Sequence, residues 1–125
     1  MIKIELETVG LRRIGELRGE AAERVLRDAL AVQAAGAFAV VMEMVPGDVA
    51  AEVTETIEIP TIGIGAGNQC DGQVLVWQDA FGLRTGKLPR FVKQYADLRS
   101  VLLDAARAYD SDVKDGSFPA TEHTF

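Results

Sequence analysis

The sequence has few of the side chains that most often build metal and redox sites. Its 125 residues include one cysteine, Cys70, and one histidine, His123. A single cysteine excludes an internal disulfide and a multi-cysteine metal site within these residues. A lone histidine near the end argues against a histidine-based metal site or a Ser-His-Asp triad. We therefore expect Cys70 to be an ordinary thiol and His123 to be a surface or subunit-contact residue.

Basic clusters and long apolar runs are also missing. The chain carries 13 Lys and Arg against 19 Asp and Glu, for a formal net charge of −6. This acidic balance argues against a nucleic-acid-binding surface. No apolar run approaches the roughly 20 residues of a membrane span, and the opening MIKIELETVG lacks the apolar segment of a signal peptide. The expectation is a cytoplasmic protein with neither a nucleic-acid nor a membrane partner.

The hydrophobic pattern alternates between strand and helix periods along a chain that is 48% hydrophobic. It predicts strands at 1–6, 38–44, 59–64 and 74–77, and helices at 20–35, at 48–57 and in the region that Pro89 opens. Such alternation is typical of an α/β fold with parallel strands. We expect the run at 38–44 to be covered on both faces, Gly36 to stop the first helix, and Trp77 to pack in the core or an interface. Length and pattern indicate one domain spanning 1–125, too short for a complete eight-stranded barrel of roughly 250 residues.

Glu43 is the most informative single residue because it falls late in the apolar run FAVVMEM. The carboxyl ends of parallel strands are where α/β folds place their sites. A carboxylate buried there would have a raised pKa and could serve as a general base. The alternative is a strand-end glutamate that faces water or pairs with an arginine.

A glycine-rich segment, IGIGAGNQCDGQ, occupies residues 62–73 after the predicted strand. Glycines permit close backbone approach to a ligand, so a phosphate-binding loop is one interpretation. The Walker spacing is absent and no clear helix follows, which favours a tight loop at one end of the sheet.

Four collinear segments resemble ketopantoate hydroxymethyltransferase, also called 3-methyl-2-oxobutanoate hydroxymethyltransferase. They are GEAAERVLRDALAVQAAGAFAVVMEMVP, IPTIGIGAGNQCDGQVLVWQDAFG, RFVKQYADL and FPATEHTF. The resemblance implies a (β/α)₈ barrel, of which this chain would supply the last three strands. The fold class expected is thus a partial, half TIM-type barrel of parallel strands with flanking helices.

The resemblance also implies a reaction. The family transfers a hydroxymethyl group from 5,10-methylenetetrahydrofolate to 3-methyl-2-oxobutanoate, giving 2-dehydropantoate on the pantothenate and coenzyme A route. Mg²⁺ chelates the keto acid in that reaction. The family motif (V/L)xE(C/M)VP corresponds to Val41–Pro46, which assigns the base that removes the C3 proton to Glu43.

Other family motifs are missing. The segments VGDS and ADLPF, which carry the metal-binding aspartates, do not occur, nor does GHLGLTPQ. No residue of this chain is therefore assigned to the metal. The opening Ile2-Lys3-Ile4-Glu5 resembles the family's V-K-[IL]-E-G-G, where the Lys contacts substrate and the Glu lies near Mg²⁺, but Leu6-Glu7 replaces the glycine pair. An ordinary amphipathic strand is the simpler interpretation of this segment.

Three explanations of the short chain stay open. The first is a truncated or internally deleted gene product. The second is one half of a split enzyme that a separate N-terminal barrel half completes, and the third is a folded remnant that only self-associates. A half-barrel leaves parallel edge strands unpaired, and open edges invite association. Since family members are also oligomeric, we expect a homo-oligomer.

Overall fold

The computed structural model describes residues 19–125. The strand predicted at 1–6, with Lys3 and Glu5, lies outside the described residues. The described chain forms two compact units, one ending at Val74 and the other beginning at Leu75.

The first unit is a small parallel sheet covered by helices on one face. Its elements are α1 (Glu20–Ala34), β1 (Val40–Glu43), α2 (Gly47–Thr56), β2 (Thr61–Ile64) and β3 (Gly72–Gln73). The strand order is β1-β2-β3, and both pairs are parallel. Helices α1 and α2 pack against each other. The predicted α/β class with parallel strands and flanking helices is confirmed.

The core of this unit joins the two helices to one face of the sheet. Apolar side chains spaced along both helices supply the buried face that amphipathic patterns predict. The buried cluster comprises Ala29, Met42, Val45, Val49, Ala50, Val53, Ile57 and Ala66. Helix α1 ends two residues before Gly36 and α2 lies within one residue of its predicted bounds, so both helix predictions are confirmed.

A polar network fixes the starts of β2 and β3. Thr61 is fully buried, and its N–H donates to Asp71 Oδ2 at 2.8 Å. The Thr61 hydroxyl also donates to the same oxygen at 3.1 Å and lies 2.9 Å from the hydroxyl of Thr54 on α2. The Thr61 N–H, followed by its hydroxyl, lowers the pKa of the Asp71 carboxyl.

The third predicted strand is placed incorrectly. The pairing segment is Gly72–Gln73, extended by a bond from the Val74 N–H to the Gly63 carbonyl at 3.0 Å. The anchoring of Asp71 to Thr61 brings the residues after it alongside β2, so pairing begins earlier than the apolar run. Trp77 starts a helix instead of ending a strand.

The second unit contains α3 (Trp77–Ala80), α4 (Leu98–Asp115) and a 3₁₀ turn at Thr121–His123. The helix expected from Pro89 onwards begins only at Leu98. Its N-cap is Asp97, whose carboxylate accepts from the Ser100 N–H and hydroxyl. These bonds, the hydroxyl first, lower the pKa of the Asp97 carboxyl.

The segment that leads into α4 forms backbone hydrogen bonds to residues 80–82 instead of the bonds of a helix. The N–H groups of Tyr95, Leu98 and Arg99 donate to the carbonyls of Ala80, Phe81 and Gly82 respectively. Gly82 has φ of +74°, and a Cβ placed there would collide with the Ala96 carbonyl oxygen. These contacts commit backbone N–H groups within residues 95–99 to partners outside a helix, and α4 starts only at Leu98.

Candidate active site

Glu43 is the last residue of β1 and lies at the carboxyl edge of the sheet. In the parallel register it is opposite Ile64, the last residue of β2. The chain leaves β2 directly into the glycine-rich loop, so Glu43 and that loop occupy the same edge. This is the edge at which parallel sheets place their sites.

Glu43 is exposed, which corrects the prediction that this strand is covered on both faces. Exposure alternates along β1: Met42 is buried, whereas Val41 and Glu43 are exposed. The helices cover only the face that carries Met42, because side chains alternate between faces along a strand. Within residues 19–125, no element covers the Glu43 side chain, which stays exposed to water.

Met44 follows Glu43 with a left-handed backbone, which the sequence analysis did not anticipate. Its φ is +54°, and among the described residues it alone combines a side chain with positive φ. That conformation costs a non-glycine residue roughly 1–2 kcal/mol. The Met44 N–H still donates to the Ile64 carbonyl at 2.9 Å, which extends the ladder one bond past Glu43. The motif Val45-Pro46 signals the end of the strand but not this turn.

The left-handed residue shifts the alternation of side chains. An extended strand would bury Met44 and expose Val45 after an exposed Glu43. Instead Met44 is 53% exposed and Val45 is 4% exposed, in the core. Two consecutive side chains, Glu43 and Met44, are thereby exposed at the carboxyl edge.

The glycine-rich segment is a tight loop packed on the start of α2. A Cβ placed on Gly67 would lie 3.0 Å from the Gly47 Cα, so the two backbones touch. The Gln73 side-chain amide donates to the Gly67 carbonyl at 2.9 Å. This geometry supports the tight-loop interpretation over a phosphate site, since backbone fills the space beside the loop. Cys70 is half-buried and packs over Gly63, where an added Cβ would approach its Sγ to 2.9 Å.

The described side chains do not fit a Mg²⁺ site. Nowhere in residues 19–125 do three His, Cys, Asp or Glu side chains gather as metal ligands would. Mg²⁺ requires near-octahedral oxygen coordination. Glu43 offers one carboxylate, and Glu5 lies outside the described residues.

The second unit contains an ion pair between the buried Asp79 and the exposed Arg84, beside an open cavity. Asp79 is 5% exposed and accepts from the Arg84 guanidinium Nη1 at 3.2 and 3.3 Å. The cavity, of about 540 Å³, is lined by this pair with Val76, Gln78, Leu83, Thr85 and Arg99. Trp77 is more than half exposed, so the described chain does not place it in a core.

His123 is exposed, in agreement with a surface position. Its Nδ1 accepts from the Ala120 N–H at 3.1 Å, and its ring lies 5.1 Å from that of Phe118. In the part of the chain that the structure describes, no helix is both long and apolar enough to cross a membrane.

Comparison with known proteins identifies the family. A sequence model described as ketopantoate hydroxymethyltransferase matches residues 5–121. A 3-methyl-2-oxobutanoate hydroxymethyltransferase of Nocardioides sp. is 76% identical over 108 residues, which cover 86% of this chain and 37% of that protein. The enzyme of the same name from Frankia casuarinae is 58% identical over 120 residues, covering 96% and 40% respectively. That of Streptomyces coelicolor is 65% identical over 105 residues, covering 84% and 36%.

The chain thus spans about two fifths of the length of these curated relatives. The matched region includes the segment Val41–Pro46 and the glycine-rich loop that together form the carboxyl edge of the sheet. The chain belongs to the ketopantoate hydroxymethyltransferase family.

Proposed function

We propose that this chain supplies the deprotonating edge of a 3-methyl-2-oxobutanoate hydroxymethyltransferase, with Glu43 as the general base. The observation that carries the proposal is the position of Glu43. It is the one carboxylate on the described strands of the sheet, it stands at their carboxyl edge, and it lies in the segment Val41–Pro46 that resembles the family motif. We also propose a cytoplasmic location, which suits a chain with a single cysteine.

In the proposed reaction the Glu43 carboxylate takes the proton from C3 of the keto acid. The electron pair of that C–H bond moves into the enolate. C3 then forms a bond to the one-carbon unit carried by 5,10-methylenetetrahydrofolate, and water supplies the hydroxyl oxygen as tetrahydrofolate leaves. A positioned base typically contributes about 10²–10⁴-fold to the rate of such a step.

The described residues lack a cover over the face of the sheet that carries Glu43. A base works well when water is excluded around it, because low polarity raises the pKa of a carboxylate. The face that carries Val41 and Glu43 is open. We propose that the rest of a barrel covers it, supplied by a longer polypeptide or by a separate N-terminal half. Since the described residues do not fit Mg²⁺, we propose that its ligands come from outside residues 19–125, from the missing part of the barrel or from the segment that contains Glu5.

A second candidate function is self-association without catalysis. It is favoured by two observations: β1 is an edge strand of the three-stranded sheet, and helix α4 has no buried residue although Val101, Leu102 and Tyr109 are apolar. Open strand edges and uncovered apolar surface both promote association.

The experiment that separates the two is an exchange assay. The purified chain is incubated with 3-methyl-2-oxobutanoate and Mg²⁺ in heavy water, with and without an N-terminal barrel half taken from the Nocardioides relative. Proton NMR follows loss of the C3 proton, and added 5,10-methylenetetrahydrofolate tests the complete transfer. Exchange that requires Glu43 supports the enzyme. No exchange in either mixture, together with stable oligomers of the chain alone, favours the remnant.

A further inference from the structure

Met44 holds a costly backbone conformation that a glycine would adopt freely. At φ of +54° an L side chain is disfavoured, whereas glycine is not. Strained residues persist where the surroundings impose them, and they concentrate at functional sites. The Met44 side chain is also half exposed and is absent from the buried core of the first unit. Packing among the described residues therefore does not account for a side chain at this position.

The left-handed turn leaves the Met44 side chain exposed at the position that directly follows the candidate base. Met42 and Val45 are buried on either side, while Glu43 and Met44 are both exposed. Consecutive Cα atoms across a trans peptide are about 3.8 Å apart. The bond from the Met44 N–H to the Ile64 carbonyl holds the backbone of Glu43 and Met44 at the carboxyl edge of the sheet.

The chemistry of the proposed reaction makes that neighbour important. Glu43 must come within hydrogen-bond reach of the proton on C3. In 3-methyl-2-oxobutanoate, C3 also carries two methyl groups, which lie one bond from the reacting carbon. An apolar side chain adjacent to the base along the chain is therefore placed to contact them. Methionine suits this role because its unbranched thioether adapts to irregular apolar shapes.

We propose that Met44 is a specificity-determining residue, whose thioether side chain contacts the branched alkyl group of the keto acid beside Glu43. This inference rests on the proposed function and names the part of the substrate that this residue recognises. The left-handed backbone is the device that turns the side chain outward at the site instead of into the core.

Methyl NMR tests the contact directly, because the chain has three methionines. The chain is labelled with [methyl-¹³C]methionine, combined with the N-terminal barrel half, and titrated with 3-methyl-2-oxobutanoate. The Met44 signal is assigned from its loss in Met44→Leu. We expect the Met44 methyl to shift with saturation while the buried Met42 methyl stays in place. An unmoved Met44 methyl at saturating keto acid overturns the inference.

Substrate selectivity provides the second test. We expect Met44→Ala to lower the ratio of kcat/KM for 3-methyl-2-oxobutanoate over unbranched 2-oxobutanoate about tenfold, as loss of apolar contacts in a pocket typically does. The conservative variant Met44→Leu should restore most of the ratio. The control Met42→Leu, in the core, should leave the ratio unchanged. A Met44→Ala variant with the parental ratio contradicts the proposal even if its kcat falls.

The two readouts keep this inference separate from the proposed function. A Met44 shift without C3 exchange supports the contact and contradicts Glu43 as base. Exchange that requires Glu43, without a Met44 shift, does the reverse, and the absence of both contradicts both.

Discussion

Glu43 and Ile64 face each other as the last paired residues of two parallel strands, and the Ile64 carbonyl accepts a bond from the residue that follows Glu43. The backbone that carries the Glu43 side chain is therefore held by hydrogen bonds on both sides of this residue. A strand end normally frays, whereas this one is fixed beyond the residue of interest. Preorganisation of this kind is what a general base requires.

Replacing Glu43 by glutamine should abolish C3 exchange without harming the fold. Glutamine keeps the shape but cannot accept the proton, so we expect a loss of about 10²–10⁴-fold in a preparation whose parent is active. Because Glu43 is exposed and forms no ion pair within residues 19–125, the free energy of unfolding should change by less than about 0.5 kcal/mol. Glu55→Gln, on the exposed face of α2, is the matched control and should retain exchange. Equal exchange rates in Glu43→Gln and its parent would falsify the assignment.

The bonds from Thr61 to Asp71 predict a loss of stability in acid. They lower the pKa of Asp71 in the folded chain, so the unfolded chain binds this proton more readily. The stabilisation is present above the ordinary carboxyl pKa of about 3.9 and disappears as pH falls through the lower folded value. Asp71→Asn should flatten this part of a thermal-melting profile against pH. Asp110→Asn, which removes an exposed pair with Lys114 on α4, should leave it almost unchanged. Identical acid profiles for the parent and Asp71→Asn would refute the linkage.

Substitutions at Met44 should separate backbone strain from side-chain use. Met44→Gly relieves roughly 1–2 kcal/mol of left-handed strain and adds about 0.5–1 kcal/mol of chain entropy cost, so stability should be equal or slightly higher. Met44→Val should destabilise the fold, because a β-branched residue is poorly tolerated at positive φ. Chemical denaturation of both variants gives the comparison. A clear loss of stability in Met44→Gly would show that the side chain packs instead.

The isolated chain should associate above the monomer. Among residues 19–125, β1 lies at an edge of the sheet, Val41 on this strand and Phe38 before it are exposed, and α4 carries exposed apolar residues. Light scattering at tens of micromolar, on the order of concentrations at which exposed edges associate, should report oligomers. Leu102→Lys on α4 should shift the distribution towards smaller species, and Arg107→Lys should not. A monodisperse monomer would count against this prediction.

Mg²⁺ should bind the isolated chain weakly or not at all. The described residues offer no cluster of three His, Cys, Asp or Glu ligands, and a single exposed carboxylate leaves most of the octahedral positions of Mg²⁺ to water. Isothermal calorimetry should therefore show no saturable heat at millimolar Mg²⁺, on the order of weak sites. Tight, stoichiometric binding would promote Lys3 and Glu5 to the family roles that their segment resembles.

The sequence predicted the first unit well because local and tertiary preferences agree there. The apolar stripe of α1 and its stop before Gly36 recur in the structure, as does the placement of Glu43 at the end of a strand. The exposure of Glu43 agrees with the alternative of a strand-end glutamate that faces water, and not with the buried carboxylate that the apolar run indicated. An apolar run does not show whether both faces of a strand are buried by the same chain or one face is left for another segment to cover. Strand β1 is of the second kind, because Val41 is exposed.

The errors in the second half have specific causes. Pairing at Gly72–Gln73 follows from the carboxylate of Asp71 reaching Thr61, a contact across ten residues that periodicity cannot show. The late start of α4 follows from backbone bonds made by Tyr95 and Leu98, which carry no side-chain signature. The left-handed turn at Met44 is likewise invisible, since methionine has no preference for it.

The seam between residues 80–82 and 95–99 has a consequence for how this region could diverge. Its hydrogen bonds join backbone groups, and every residue except proline has both a backbone N–H and a carbonyl. Most of its residues can therefore be substituted without loss of these bonds. Gly82 and Ala80 are the exceptions, because any side chain at Gly82 meets the Ala96 carbonyl and Ala80 is buried. The seam therefore constrains these two residues and the meeting of its two segments, not the length of chain between them. Insertions between residues 82 and 95 would lengthen a loop whose two ends stay hydrogen-bonded to each other, at a small entropic cost per added residue.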